Sequence, residues 1–166
     1  MKNIVLMGFM GAGKTTIGKK LANALKYEFI DTDECIEKEQ GRNISDIFSE
    51  DGESVFRDME TALLKRLQNS EEKFVLSIGG GMPVREENRT LLRNMGTVVY
   101  LKTSKEEIVR SVSGDKNRPL LQGEDLEEKV TNLMNAREQI YNDTAHVEVI
   151  TDGKNPSEVV EEILKL

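Results

Sequence analysis

The stretch that decides the fold is Gly8-Phe9-Met10-Gly11-Ala12-Gly13-Lys14-Thr15. It follows the apolar run at residues 4–7 and opens a segment of helical periodicity, so a strand precedes it and a helix follows it. In that context the pattern G-x-x-x-x-G-K-[ST] indicates a phosphate-binding loop rather than a glycine-rich turn that binds nothing. The apolar face of the helix is predicted to comprise Ile17, Leu21, Ala24 and Leu25.

The residue types in this loop suit the phosphates of a nucleotide. Glycines 8, 11 and 13 are expected to adopt positive φ and to turn backbone N–H groups toward one point. The helix that begins near Lys14 directs its positive end to the same point. Lys14 is expected to reach the β- and γ-phosphates, and the Thr15 hydroxyl is expected to ligate Mg²⁺. The predicted nucleotide contacts are Gly11, Ala12, Gly13, Lys14, Thr15 and Thr16.

Length and composition limit the class of protein. The 166 residues suit one domain, expected to be a monomer, and no apolar run approaches the roughly 20 residues that span a bilayer. The start of the chain leads directly into a strand, and the single cysteine, Cys35, suits a reducing compartment, so we expect a cytoplasmic protein. A net charge of −7 argues against nucleic acid as a partner. An anionic ligand would therefore require a few arginines gathered locally.

Strands and helices alternate along the chain, which favours an α/β protein. The predicted strands are 4–7, 27–30, 74–78, 97–101 and 146–150. Eight helices are predicted. The first begins near Lys14, the second lies around Ile36, and the next two span 44–48 and 55–67. The others run from Pro83 to Gly96, from the cap at 103–104 to 112, from 126 to 141 and from 156 to 164. The alternation predicts a three-layer α/β/α domain over residues 1–166, with a five-stranded parallel sheet covered by helices on both faces.

Three polar or glycine-rich segments follow predicted strands, and ligands bind open α/β sheets beyond the carboxyl ends of their strands. The segments 8–15, 31–33 and 79–81 are therefore expected to meet at one edge of the sheet. The strand at 74–78 ends in glycines, so Asp31 is the candidate for the Mg²⁺ shell, through water. The alternative is that Asp33 caps the helix around Ile36 and Asp31 is a solvated charge; a capping aspartate can still present an oxygen.

Three arginines of the sequence are candidates to hold an anion. Arg57 and Glu60 share one helix face, which Leu64 continues, so the pair is predicted to face inward. An inward arginine needs an anion. Arg118, in the loop at 115–121, and Arg137, on the next helix, are further candidates that spacing alone does not assign.

Taken together, these motifs resemble the shikimate kinase family from end to end. The phosphate loop by itself is shared by many unrelated enzymes, whereas the ordered set is specific. The motifs that carry the resemblance are the phosphate loop, Asp31-Thr32-Asp33, Phe56-Arg57-x-x-Glu60, Gly79-Gly80-Gly81, Arg118-Pro119-Leu120-Leu121, Arg137 with Tyr141, and Asn155-Pro156.

The resemblance implies transfer of the γ-phosphoryl group of ATP, with Mg²⁺, to the 3-hydroxyl of shikimate, on a P-loop fold like that of the nucleoside-monophosphate kinases. It implies that Arg57 and Arg137 hold the shikimate carboxylate, and that Glu60 orients these arginines. Asp33 and the glycines 79–81 would hold the ring hydroxyls. Asp33, placed beside the acceptor hydroxyl, is also the candidate to take its proton.

The resemblance also assigns regions of the chain. It implies a substrate-binding helical segment at about 33–60 and a lid at about 112–123 that brings Arg118 over the phosphates. It places Arg110 and the turn at 151–156, with Pro156, near the adenine. The implied catalytic residues are Lys14, Asp33 and Arg118.

Other functions remain as alternatives. Another small-molecule kinase, for gluconate or a nucleoside monophosphate, would keep the phosphate loop and the lid without requiring Asp33, Arg57 and Arg137 together. A non-catalytic nucleotide switch would need base-recognition segments, and the sequence has no Asn-Lys-x-Asp for guanine. The sole histidine, His146, and Cys35 are interpreted as structural residues.

Overall fold

A computed structural model describes residues 3–113 and 125–166. Arg118 and most of the predicted lid lie outside the described residues. The strands are β1 (Asn3–Met7), β2 (Glu28–Asp31), β3 (Phe74–Ser77), β4 (Gly96–Lys102) and β5 (Val147–Ile150). The helices are α1 (Lys14–Leu25), α2 (Thr32–Gln40), α3 (Ile44–Asp51), α4 (Glu53–Leu67), α5 (Glu86–Met95), α6 (Lys105–Val112), α7 (Leu126–Thr144) and α8 (Pro156–Leu164).

The five strands form one parallel sheet in the order β2-β3-β1-β4-β5. Successive side chains of β1 enter two different apolar cores, because neighbouring residues of a strand point to opposite faces. Ile4 and Leu6 pack in the core under α1 and α8, whereas Val5 and Met7 pack in the core that α4, α5 and α7 cover. The predicted three-layer α/β/α architecture is confirmed.

The apolar face of α1 differs from the prediction at one position. Ala24 is exposed, and Ala22 is buried beside Leu21 and Gly18. The positions 18, 21, 22 and 25 follow the i, i+3, i+4, i+7 spacing of a buried helical stripe, and Ala24 lies at its edge.

The helix predicted to begin at Pro83 is divided in two. Met82–Val84 form a 3₁₀ turn, closed by hydrogen bonds from the N–H groups of Met82 and Val84 to the carbonyls of Gly79 and Gly81. Arg85 is extended, and α5 begins only at Glu86. The proline therefore shapes the turn that follows the glycines, and does not start the α-helix.

The strand order brings the predicted segments together. The three strands β2, β3 and β1 are adjacent and parallel, so the residues that follow them emerge at the same edge. Among the described residues, no helix has the length and apolar character needed to cross a membrane.

Candidate active site

A cleft of about 420 Å³ opens at this edge of the sheet. It takes side chains and backbone from the phosphate loop, from α2, α3, α4 and α7, and from the end of β3. The predicted site residues that line it are Gly11, Gly13, Lys14, Thr15, Thr16, Asp31, Asp33, Arg57, Glu60, Gly79, Gly80, Gly81 and Arg137.

The phosphate loop has the expected backbone at two of its three glycines. Gly11 and Gly13 have φ of 88° and 87°, in the left-handed region that favours glycine. The expectation of positive φ at Gly8 is wrong. Gly8 is instead required by close packing, because a Cβ at this position would lie 2.9 Å from the carbonyl oxygen of Leu101.

The start of α1 and the side chain of Lys14 prepare a site for an anion. No side chain of the described residues caps this helix, so the N–H groups of its first turn face the loop without an acceptor from a cap. The Lys14 ammonium donates to the carbonyls of Gly8 at 2.9 Å and Phe9 at 3.2 Å, and is thereby held over its own loop. Positive charge and backbone donors converge there.

Thr15 and Asp31 meet beside the loop. The Thr15 hydroxyl lies 3.3 Å from one carboxylate oxygen of Asp31, and the other oxygen accepts a hydrogen bond from the Glu34 N–H at 3.1 Å. Asp31 is therefore the N-cap of α2, and the alternative that Asp33 caps this helix is wrong. A hydroxyl and a carboxylate oxygen are ligands that suit Mg²⁺. Residues 3–113 and 125–166 hold no group of three His, Cys, Asp or Glu side chains, so a bound Mg²⁺ would take further oxygens from phosphate and water.

Two carboxylates flank the first glycine after β3. A Cβ on Gly79 would lie 2.9 Å from Asp33 Oδ1 and 3.2 Å from Glu60 Oε2. The hydroxyl of Thr32 accepts a hydrogen bond from the Gly79 N–H at 3.2 Å, which ties the start of α2 to the glycine segment. In the sequence Thr32 stands out only as part of a motif, because nothing in its spacing indicates a partner 47 positions away.

Arg57 is held on three sides. Its guanidinium donates to Glu60 at 2.7 Å and to Glu53 at 3.4 Å, and its centre lies 5.3 Å from the ring of Phe56. A Cβ on Gly81 would lie only 2.2 Å from Arg57 Nη2, so the glycine leaves the space that this side chain occupies. The predicted inward orientation of Arg57 and Glu60 is confirmed by their burial.

Glu60 is a fully buried carboxyl group. Burial raises its pKa to about 7, although the neighbouring Arg57 acts in the opposite direction. One oxygen accepts from Arg57, whereas Oε2 has no hydrogen-bond partner. Because an unsatisfied buried acceptor costs about 1–3 kcal/mol, this oxygen is suited to a donor supplied by a ligand.

Arg137 reaches the cleft from α7. It is 5% exposed, its guanidinium lies 5.8 Å from the ring of Phe9, and its Nη1 makes no hydrogen bond. A buried guanidinium with an unpaired N–H group is a strong site for a carboxylate. Arg57 and Arg137 therefore bring two buried cations to the cleft that also contains the phosphate loop.

The structure adds cleft residues that sequence reasoning missed. Phe48 and Phe56 form an aromatic wall, with ring centroids 5.2 Å apart. Their helical spacing was compatible with an ordinary core, and only the packing of α3 on α4 shows that they face a ligand-sized space. The other lining residues that were missed are Met10, Ile44, Ser77, Ile78 and Ser111.

Three predicted nucleotide contacts lie away from the lining of the cleft. Ala12 is buried beneath the loop, Arg110 is exposed and pairs with Glu107 at 3.0 Å, and Pro156 begins α8. Arg118 falls outside the described residues. The assignments of these positions to ATP remain predictions.

The two residues interpreted as structural are found in such settings. His146 accepts a hydrogen bond through Nδ1 from the Val98 N–H at 2.9 Å, which joins the start of β5 to β4. Cys35 is half-buried on α2, and burial raises the pKa of its thiol above the ordinary value, which disfavours the nucleophilic thiolate.

Comparison with known proteins gives a consistent result along the whole chain. A family model described as shikimate kinase matches residues 10–166. A shikimate kinase from Chromohalobacter salexigens is 47% identical over 99% of this chain and 91% of that protein, and one from Persephonella marina is 43% identical over 99% and 98%. The solved structure of shikimate kinase from Acinetobacter baumannii in complex with shikimate has a TM-score of 0.96 at 41% identity, and the match covers 99% of this chain and 92% of that one.

Proposed function

The chain belongs to the shikimate kinase family, and we propose that its cleft transfers the γ-phosphoryl group of ATP to the 3-hydroxyl of shikimate. The products are shikimate 3-phosphate and ADP. The observation that carries this assignment is the presence of two buried arginines, Arg57 and Arg137, in the same cleft as the phosphate loop. A kinase for a carboxylated alcohol needs cations for the carboxylate and, separately, a cradle for the phosphates.

The residues of the chain divide between the two substrates. Arg57 and Arg137 bind the carboxylate, and Glu60 holds Arg57 in place through their 2.7 Å contact. The glycines 79–81 allow the ring to approach the backbone closely. This arrangement fixes the acceptor hydroxyl beside Asp33, which also lines the cleft.

The transfer itself needs positioning and charge neutralisation more than covalent help. Asp33 orients the 3-hydroxyl and accepts its proton, the hydroxyl oxygen forms a bond to the γ-phosphorus, and the bond from that phosphorus to the β,γ-bridging oxygen breaks to leave ADP. Lys14 and the N–H groups of the loop hold the phosphate oxygens. A Mg²⁺ ion, held through Thr15 and through water by Asp31, would neutralise charge on the phosphates.

The remaining assignments concern the regions of the chain, the adenine contacts, the oligomeric state and the cellular compartment. We propose one kinase domain over residues 1–166, in which 33–60 binds substrate and 112–123 closes as a lid, bringing Arg118 to the transferred group. Arg110 and Pro156 would lie beside the adenine. We also propose a monomer in the cytoplasm, which suits an enzyme that consumes ATP and contains a single cysteine.

The test is ADP release from ATP and Mg²⁺ with shikimate, gluconate or a nucleoside monophosphate as the acceptor. Turnover that depends on shikimate is the expected result, with mass spectrometry to identify shikimate 3-phosphate. Turnover with another acceptor and none with shikimate would contradict the proposal and reassign Arg57 and Arg137. ATP binding without turnover on any acceptor would favour the non-catalytic switch.

A further inference from the structure

Tyr141 lies one helical turn after Arg137 on α7, and its hydroxyl reaches the glycine segment. The side chain is 2% exposed, and the hydroxyl donates a hydrogen bond to the carbonyl oxygen of Gly80. Burial raises the pKa of Tyr141 to about 12, so the hydroxyl keeps the proton that it donates. This contact joins two segments that are 61 positions apart in sequence.

The hydrogen bond from Tyr141 to the Gly80 carbonyl also sets the direction of the Gly81 N–H. The described peptide bonds are all trans, so the N–H of Gly81 points away from the carbonyl of Gly80 in the same peptide plane. Holding that carbonyl on the side of Tyr141 turns the Gly81 N–H to the opposite side. No residue of 3–113 or 125–166 accepts a hydrogen bond from this N–H, and Gly81 lines the cleft beside the Arg57 guanidinium.

We infer that Tyr141 is a positioning residue for the carboxylated substrate: its hydroxyl fixes the Gly80–Gly81 peptide so that the Gly81 N–H joins the arginines as a donor in the cleft. This inference rests on the proposed function and adds a residue that does not itself line the cleft. A Cβ on Gly80 would lie 3.2 Å from Arg137 Nη1 and 3.3 Å from the Tyr141 hydroxyl, so both side chains of α7 pack against the same glycine. The helix thus positions one cation and one backbone donor as a unit.

The ring of Tyr141 is anchored independently of its hydroxyl. It packs edge-on against Tyr100, with ring centroids 5.2 Å apart at an interplanar angle of 68°. The Tyr100 hydroxyl donates to Glu138 at 2.9 Å, and not to the glycine segment. Removal of the Tyr141 hydroxyl should therefore release the peptide, remove the interaction of the hydroxyl with Arg137, and leave the aromatic core in place.

The experiment compares Tyr141→Phe with Tyr100→Phe as the matched control. Both variants remove one buried phenolic hydroxyl from the same pair of rings. We expect Tyr141→Phe to raise the KM for shikimate by about 3- to 10-fold, the range that corresponds to one net hydrogen bond, with the KM for ATP unchanged. Tyr100→Phe should change neither KM.

Several outcomes would overturn the inference. One is a KM for shikimate in Tyr141→Phe within twofold of wild type. Another is an equal rise in Tyr141→Phe of the KM for shikimate and the KM for ATP. A third is the same rise of the KM for shikimate in Tyr100→Phe. The last two outcomes would indicate a general loss of structure, which thermal unfolding of both variants would detect. If the wild-type enzyme shows no turnover that depends on shikimate, the proposed function itself is wrong. Failure of the proposed function is therefore distinguishable from failure of the inference about Tyr141.

Discussion

Glu60 shows how burial sets the chemistry of a single residue. Its carboxyl group is surrounded by Arg57, Asp33 and Arg137, and loss of water around it raises its pKa to about 7. Desolvation outweighs the neighbouring guanidinium because the charge that leaves water has only one hydrogen-bonded oxygen to compensate it.

The raised pKa predicts how stability depends on pH. The folded state keeps the proton of Glu60 between the ordinary pKa of 4.5 and about 7, whereas the unfolded state has released it. The unfolded state therefore binds fewer protons, so the free energy of unfolding falls as pH rises through this window and levels off above it. At 1.36 kcal/mol per pKa unit, the free energy of unfolding falls by about 3 kcal/mol across the whole window.

Glu60→Gln is the variant that tests this pH dependence, since glutamine keeps the shape and does not titrate. Urea unfolding at intervals from pH 4.5 to 8 should give a wild-type curve that falls more steeply than the variant curve. Parallel curves would show that Glu60 is ionised across the range.

Gly81 is a residue whose role is to leave space. Gly81→Ala should displace the Arg57 guanidinium, because the added Cβ would lie 2.2 Å from Nη2. We expect the KM for shikimate to rise roughly 10- to 100-fold, the range for a charge-assisted hydrogen bond, with little change in the KM for ATP.

The control for Gly81→Ala is a double-mutant cycle with Arg57→Ala. If the methyl group acts by displacing the arginine, the double variant should bind shikimate no more weakly than Arg57→Ala alone. Additive losses would mean that Gly81 contributes in another way.

At the scale of elements, a buried polar link holds α4 against the turn that follows the glycines. Asn88 on α5 is fully buried, donates to the carbonyl of Met82 at 3.0 Å, and lies 2.7 Å from the hydroxyl of Thr61 on α4. The helix that carries Arg57 and Glu60 is thus joined through α5 to the segment that carries Gly81. The link fixes the distance between two sides of the cleft, the helix that carries Arg57 and Glu60 and the segment that carries Gly81.

Loss of this link should be costly for stability. Asn88→Ala leaves the buried carbonyl of Met82 without its partner, whereas the Thr61 hydroxyl keeps its hydrogen bond to the carbonyl of Arg57 at 3.1 Å. We therefore expect the free energy of unfolding to fall by about 1–3 kcal/mol. Asn94→Ala on the same helix is the matched control, because Asn94 is exposed. Urea denaturation measures both; equal losses in the two variants would attribute the effect to the helix and not to the link.

At the scale of the whole molecule, the cleft is formed where the two layers of helices and the sheet edge meet. Ligand binding should therefore stabilise the fold as one unit. Shikimate at 100 times its Kd adds about 2.7 kcal/mol to the free energy of unfolding, which raises Tm by about 5–10 °C for a chain of this size.

Thermal unfolding with and without shikimate measures this stabilisation. Gluconate at the same concentration is the control, since it is also a hydroxylated carboxylate, and it should leave Tm unchanged. An equal shift with both compounds would show that the arginines bind carboxylates without selecting the ring.

The sequence by itself determined the phosphate loop, the order of strands and helices, the sheet edge at which the site lies and the inward pair Arg57–Glu60. These follow from contiguous residues or from helical spacing, where chain geometry leaves few choices. The resemblance of the ordered motifs supplied the substrate and the role that we propose for Arg137.

Only the tertiary structure decided which groups meet across the chain. It assigned the cap of α2 to Asp31 and not Asp33, placed Phe48 and Phe56 on the wall of the cleft, and brought the Tyr141 hydroxyl to Gly80. It also set the environment of Glu60. The physical reason is that the burial of a side chain and its hydrogen-bond partners depend on how separate elements pack. A local pattern of residue types does not specify the distances between those elements.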